Sequence, residues 1–230
     1  MKRHFDPATP ELMDRPQARS PELERDLSNL RQLNKWFGGH EIMRNSLQRW
    51  IQPHDELRVL DLATGSGDMP RLVADFGRRN GCRLKIDAVD RQAATLEIAQ
   101  TLSTGYPEIN YFEGNALEWG DDGAYDIVLC SLALHHFSEE EAIRLLRRCK
   151  NLSRRYVLVA DLRRGFLASA GVYLLTAIVF REPMTKYDGR ASAARAFSFS
   201  ELRAMAAQAG WENFEHEKCR YARQALRLEK

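Results

Sequence analysis

The ten residues Val59 to Asp68, VLDLATGSGD, constrain the fold more than any other part of the chain. They read as a β-strand running into a glycine turn and then a helix. The apolar run 57–62 is bounded by Pro53 upstream and by Gly65 and Gly67 downstream. Without a Cβ, Gly65 and Gly67 let the backbone turn sharply and approach a bound molecule closely. Asp68 stands where a carboxylate can cap the helix that follows. A G-x-G after a strand fits a plain strand-to-helix turn as well as a ligand loop, so the surroundings must decide.

From Leu57 onward the chain alternates. Strand patterns fall at 57–62, 83–89, 110–113, 125–130 and 155–160, with helical patterns at 68–79, 92–102 and 139–150. Ser138 and Glu141 form a capping box at the start of the third helix. Strand-helix alternation of this kind implies right-handed crossovers and an α/β, doubly wound, mainly parallel sheet. A second capping box, Ser198 with Glu201, opens a late helix that Gly210 closes, and 212–217 with 221–228 suit a terminal hairpin. Ahead of the first strand, residues before about Ser20 are rich in Pro, Asp and Arg and predict an irregular arm. Pro21 suits the first position of a helix carrying Leu23, Leu27 and Leu30, which Gly38-Gly39 ends. A second helix carries Ile42, Met43, Leu47 and Trp50 and stops at Pro53. The expected division is an arm and helical cap at 1–53 and a main domain at 54–230, with a substrate-side insertion at 162–197.

In such a sheet, ligands bind beyond the carboxyl ends of the strands where strand order reverses. The residues there form a set: Gly65 and Gly67 after the first strand, Asp90 after the second, Gly114-Asn115-Ala116 after the third, Ser131 after the fourth and Asp161 after the fifth. An acid at Asp90 can take both hydroxyls of a ribose. Asn115 can hydrogen-bond an adenine edge. Singly, Asp90 could be a helix cap and Asn115 a turn residue. Together, at consecutive strand ends, they point to a nucleoside-bearing ligand. The dinucleotide fingerprint wants a small residue three positions beyond Gly67, and this chain has Pro70 there. Asp68 next to Gly67 would also repel a pyrophosphate, which favours S-adenosylmethionine over NAD.

Over roughly 57–160 the chain resembles the class I S-adenosylmethionine-dependent methyltransferases. The resemblance implies a Rossmann-like sheet of seven strands with an N-terminal helical extension. It also implies Asp61, Ala63, Gly65 and Gly67 around the methionine part, Asp90 and Arg91 at the ribose, Asn115-Ala116 at the adenine, and Ser131 with Leu132 along the cofactor. The block DIVLCSLALHHF, residues 126–137, is similar to small-molecule enzymes related to quinone biosynthesis and to the polyketide-associated group.

Methyl transfer from a sulfonium needs an in-line nucleophile, and a base only if that nucleophile starts protonated, as a phenol with a pKa near 10 does. His135 and His136 stand where such a base is needed, although either could simply order the loop; Asp161 is the alternative. Residues 166–180 carry no charge and are flanked by Arg163, Arg164 and Arg181. They are too short to span a bilayer, and serve either as a core helix or as a lid over an apolar substrate that touches a membrane surface. The polar stretch 184–190 that follows is expected to be a turn, with Tyr187 and Arg190 as substrate contacts. The cluster Arg144, Arg147, Arg148, Lys150, Arg154 and Arg155 sits mostly at a helix C-terminus, where cations are favoured. With a formal charge of +2 and no RNA-binding module, it does not argue for nucleic acid. Four cysteines without ligand spacing indicate neither disulfides nor a zinc site, so no metal is expected. The amino end lacks the apolar core of a secretory signal, and a cytoplasmic protein, free or membrane-peripheral, is expected. The function expected is methyl transfer to oxygen or carbon of a hydrophobic, aromatic or polyketide-like small molecule. An RNA methyltransferase and a catalytically silent binding subunit are the alternatives.

Overall fold

The computed structural model describes residues 2–165 and 182–230. The uncharged segment 166–180 and Arg181 therefore lie outside the described residues. Seven strands form one sheet: β1 (Glu56–Leu62), β2 (Arg83–Asp90), β3 (Ile109–Glu113), β4 (Tyr125–Ser131), β5 (Ser153–Leu162), β6 (Glu215–Cys219) and β7 (Arg223–Glu229). Their order is β3-β2-β1-β4-β5-β7-β6. All pairs from β3 to β5 are parallel, and β7 runs antiparallel between β5 and β6. The chain leaves β1 outward through β2 and β3, then returns to β4 on the other side. The reversal point lies between β1 and β4, where the glycine turn sits.

Side-chain alternation along each strand builds two cores. On one face, Val59, Ile86, Ile127, Leu129 and Leu158 pack against Met43, Leu47 and Trp50 of α2 (Gly39–Trp50) and Leu72, Val73 and Phe76 of α3 (Asp68–Arg79). On the other, Leu60, Leu62, Val128, Val157 and Leu226 pack against α5 (Glu139–Leu152) and a late helix, α7 (Phe199–Gln208). Neighbours in sequence thus serve opposite layers, as the period-two geometry of a strand requires. α1 (Pro21–Trp36) lays Leu23 and Leu27 on Ala94 and Ile98 of α4 (Ala93–Leu102). Both expected capping boxes form, at Ser138 with Glu141 and at Ser198 with Glu201. All four cysteines are free, with Cys130 and Cys149 buried in the core.

Two local expectations are corrected. The stretch 184–190 is not a turn but part of helix α6 (Pro183–Arg195). Pro183 opens it at a position that needs no N–H, and tertiary contacts hold it through Asp188-Gly189, a pair that signals a turn when read locally. Asp68 does not cap α3. The cap is Gly67, in left-handed conformation with φ +73° and no side-chain bond. The Asp68 carboxylate instead accepts from Asn34 Nδ2 at 3.0 Å and lies 3.5 Å from His40 Nε2, tying α3 to the N-terminal helices.

The arm is irregular, apart from a 3-10 turn at Leu12–Asp14, but it is firmly attached. Asp188 accepts from the N–H groups of Leu12 and Met13 at 2.7 and 3.0 Å. Arg3 donates to the carbonyls of Arg195, His135 and Phe137. Arm, α1 and α6 together cover the carboxyl ends of the strands. The basic cluster around α5 is occupied structurally. Arg148 donates to Trp119 O and Gly120 O, Lys150 to Gly210 O and Arg154 to Gly123 O.

Candidate active site

A cavity of about 1170 Å³ opens beyond the reversal point. That exceeds the 300–1,000 Å³ usual for a single small ligand, so a cofactor and a second molecule can share it. Its floor is made by the strand ends: Asp61 in β1 and Ala63 just after it, Gly65 in the turn, Asp90 at the end of β2 and Arg91 after it, Asn115 and Ala116 after β3, and Ser131 at the end of β4 with Leu132 after it. Nine of the ten expected cofactor positions therefore come together. Gly67 is not part of the lining, and a Cβ there would run into Tyr111 Oη. Its role is to let the turn pass. At Gly65, φ is +54° and no atom lies within 4 Å of the direction a Cβ would take.

The backbone around this floor is unusual. Ala63 and Leu132, each just past the end of a central strand, have φ of +56° and +53°. Left-handed geometry in residues with a Cβ costs energy and concentrates at ligand clamps. The Ser131 hydroxyl is buried without a hydrogen-bond partner among the described residues, so it is available to a ligand. Asp90 already accepts from Gly65 N at 2.8 Å and Gln92 N at 3.0 Å. Each carboxylate oxygen keeps a further lone pair, so these bonds fix Asp90 without exhausting it. Asn115 Oδ1 takes the Leu117 N–H at 3.1 Å, the turn role weighed for it, while the residue also faces the cavity. Asp61 is 2% exposed, and burial pushes its carboxyl up to about 7, with the charges of Asp68 and Asp90 adding to the effect.

The other end of the cavity belongs to the histidines, in a 3-10 turn (Leu134–His136) after β4. Asp161, at the end of β5, is buried behind His135 and does not line the cavity. Its Oδ1 accepts from His135 Nδ1 at 2.6 Å and its Oδ2 from the His135 backbone N–H at 2.9 Å. That geometry makes Asp161 the residue that orients His135, and removes it as a base in its own right. His136 Nδ1 meets Asp14 Oδ2 at 2.5 Å. Burial opposes its charge, but Glu11, Asp14 and Asp161 overcome this and raise it to about 9. Glu11, from the arm, is 2% exposed and lies 3.9 Å from Nε2 of both histidines.

The wall facing the histidines is apolar, with Phe5 and Met13 from the arm and Leu27, Leu30, Leu33 and Phe37 from the first helix and the turn after it. Tyr187 and Arg190 do not line the cavity, and Tyr187 is 43% exposed. On helix α6 the inward face is Thr185, Asp188, Ser192 and Arg195, at spacings of three and four, which turns 187 and 190 elsewhere. Glu11, Asp14 and Arg195 were missed in the sequence, where no motif marks them, and Asp188 was read only as part of the polar stretch 184–190. A weak signal existed only in the 3.6-period alignment of 185, 188, 192 and 195.

Residues 59–155 match the family of methyltransferase domains. Among curated proteins it is similar to the 2-phytyl-1,4-naphtoquinone methyltransferase of Thermosynechococcus vestitus, with 36% identity over 81 residues. That match spans 35% of this chain and 35% of the relative. A solved S-adenosylmethionine-dependent methyltransferase from Aquifex aeolicus superposes with a TM-score of 0.63, at 15% identity, covering 89% of this chain and 97% of that one. The magnesium protoporphyrin IX methyltransferase of Synechocystis PCC 6803, solved with bound S-adenosylhomocysteine, gives 0.59 at 14% identity, covering 84% and 83%. At these identities the two structures speak for the fold.

Proposed function

We propose that the chain transfers a methyl group from S-adenosylmethionine to oxygen or carbon of an apolar, aromatic or polyketide-like small molecule. One observation carries this reading: the strand-end floor and the histidine turn open into one cavity with an apolar wall. The open space at Gly65, the unpartnered Ser131 hydroxyl and the buried Asp61 fit the cofactor. Asp61 and the 63–66 turn would hold its amino-acid part, Asp90 and Arg91 its ribose, Asn115 and Ala116 its adenine, with Ser131 and Leu132 alongside. The cofactor supplies a methyl group on a positively charged sulfur.

Everything else falls to the chain. The apolar wall and α6 hold the acceptor in line, and such orientation is worth on the order of 7–11 kcal/mol. For a hydroxyl acceptor, His135 takes the proton at Nε2. Asp161 keeps Nδ1–H engaged and so leaves the lone pair on Nε2. Engagement of Arg148 and Lys150 of α5 and of Arg154 of β5 with backbone carbonyls supports a small molecule over RNA as acceptor. Peripheral membrane contact through residues 166–180 belongs to the same proposal. Among the described residues, no helix is long and apolar enough to cross a membrane.

Calorimetric titration with S-adenosylmethionine, followed by single-turnover assays with labelled cofactor and a panel of phenols and hydroxyquinones, tests the reading. Cofactor binding with turnover on a phenol is the expected result. No binding at about millimolar cofactor would sink it. Salt-sensitive retention on RNA, with turnover on RNA alone, would favour the nucleic-acid reading instead. Co-flotation with anionic vesicles checks the membrane contact.

A further inference from the structure

The histidine turn has a construction that a single general base does not need. Three potential ligand atoms, one each from Glu11, His135 and His136, lie within 4.8 Å of one another. Both imidazoles are held the same way, each with Nδ1 against a carboxylate: Asp161 for His135 and Asp14 for His136. Each ring therefore turns Nε2 away from its carboxylate partner, and both Nε2 atoms stand 3.9 Å from Glu11, one facing Oε1 and the other Oε2. At 3.9 Å these are not hydrogen bonds. Two ligands that share an ion at about 2.0–2.2 Å can be at most about 4.4 Å apart, and each 3.9 Å imidazole–carboxylate spacing falls inside that limit. A carboxylate on the far nitrogen of a ligating histidine is the usual support of a metal site, because it fixes the ring and strengthens the donor.

We infer that Glu11, His135 and His136 form a binding site for one divalent transition-metal ion inside the cavity. Two imidazoles with one carboxylate suit zinc, iron, cobalt or manganese rather than calcium or magnesium, which prefer oxygen ligands alone. Glu11, Asp14 and Asp161 lie around the site, and Arg3, Arg91, Arg195 and Arg223 stand near the same groups. Arg195 stands 3.8 Å from Glu11 Oε1, and the Ser192 hydroxyl donates to the same oxygen at 2.9 Å. Oε2 is thus the freer oxygen for an ion. All three ligands line the cavity, so open coordination positions face the space that holds the acceptor. An ion there suits an acceptor with two adjacent oxygens, such as a vicinal hydroxy-keto or dihydroxy-aromatic molecule. The site stands on the cluster alone and does not rest on methyl transfer. It also competes with the base role, because an Nε2 that binds an ion cannot take a proton.

The test uses the full chain without a histidine tag, stripped by chelator and titrated with Zn²⁺ in a calorimeter and with Co²⁺ by visible absorption. One ion per chain is expected, with a Co²⁺ spectrum of nitrogen and oxygen ligation. Glu11→Gln and His136→Gln should each weaken binding by at least about tenfold, and Asp14→Asn by about 10–100-fold through the outer shell. His54→Gln, away from the cluster, should leave it unchanged. Unfolding curves show that each variant is folded; if Glu11→Gln is not, His136→Gln and Asp14→Asn carry the comparison. No saturable binding up to about 1 mM, or binding that survives His136→Gln, overturns the site. Loss of metal binding would leave the methyl-transfer reading standing, since cofactor titration and turnover are read separately.

Discussion

Replacing Asp61 with Asn removes one buried carboxyl and keeps the shape of the turn. In the native protein this group titrates near 7 rather than at its usual 3.8, chiefly because burial strips water from the charged form. A shift of about 3 units corresponds to about 4 kcal/mol. The sign follows from proton linkage. Between the two values the folded chain holds a proton that the unfolded chain has lost, so stability falls as pH rises. The contribution is fully present below about pH 4 and is lost as pH passes about 7. Asp61→Asn has no such group, so its stability relative to the parent should improve steadily over that window, by an amount approaching 4 kcal/mol. Urea unfolding followed by circular dichroism, at steps from about pH 4.5 to about pH 8.5, measures the difference. Subtracting one curve from the other cancels every other titrating group that the substitution leaves alone. Cofactor binding should show the mirror image. A bound ammonium beside Asp61 needs the carboxylate, so affinity in the parent should drop about tenfold per pH unit below 7, with proton release in the calorimeter. A stability difference that stays flat with pH would refute the assignment of a raised, uncompensated Asp61.

Two further substitutions probe how the site is held. Gly67→Ala meets Tyr111 Oη at 2.2 Å and forces a Cβ onto a φ of +73°, costs that together come to about 2–3 kcal/mol. Its melting temperature should fall by about 4–10 °C, and adding Tyr111→Phe should restore part of the loss; no drop would mean the turn relaxes freely. Asp188→Ala releases the Leu12 and Met13 N–H groups from the carboxylate that holds them, at about 1–3 kcal/mol for groups left in the interior. Amide exchange across residues 2–19 should speed up while the strands keep their protection, and unchanged exchange in the arm would show that other contacts anchor it.

Much of the fold was legible because its causes are local. The short apolar runs of β1, β2, β4 and β5, bounded by turn residues, show in the sequence as strands. Ser138 with Glu141 and Ser198 with Glu201 mark helix starts within four residues. The strand-end residues were legible for a related reason: in a parallel sheet the carboxyl ends converge whatever the loops do. Asp61, Gly65, Asp90, Asn115 and Ser131 therefore meet as soon as the topology is known. Local reasoning failed at 183–195, where Asp188-Gly189 reads as a turn. Contacts such as Asp188 to the arm and Thr185 to Asp26 at 2.6 Å hold a helix there instead. It failed again at Asp68, whose carboxylate found a partner on a different helix.

By itself, then, the sequence determined the sheet, the glycine turn and the row of ligand-binding strand ends, since these follow from residue periodicity and backbone sterics over short spans. Only the tertiary structure decided what closes the cavity. The arm that brings Glu11 and Asp14 to His135 and His136 carries no periodic pattern. Its place is set by bonds from Asp188, Arg3 and Arg195 to its own or neighbouring backbone, across most of the chain's length. Such contacts depend on where two distant segments meet in space, and no local preference encodes that.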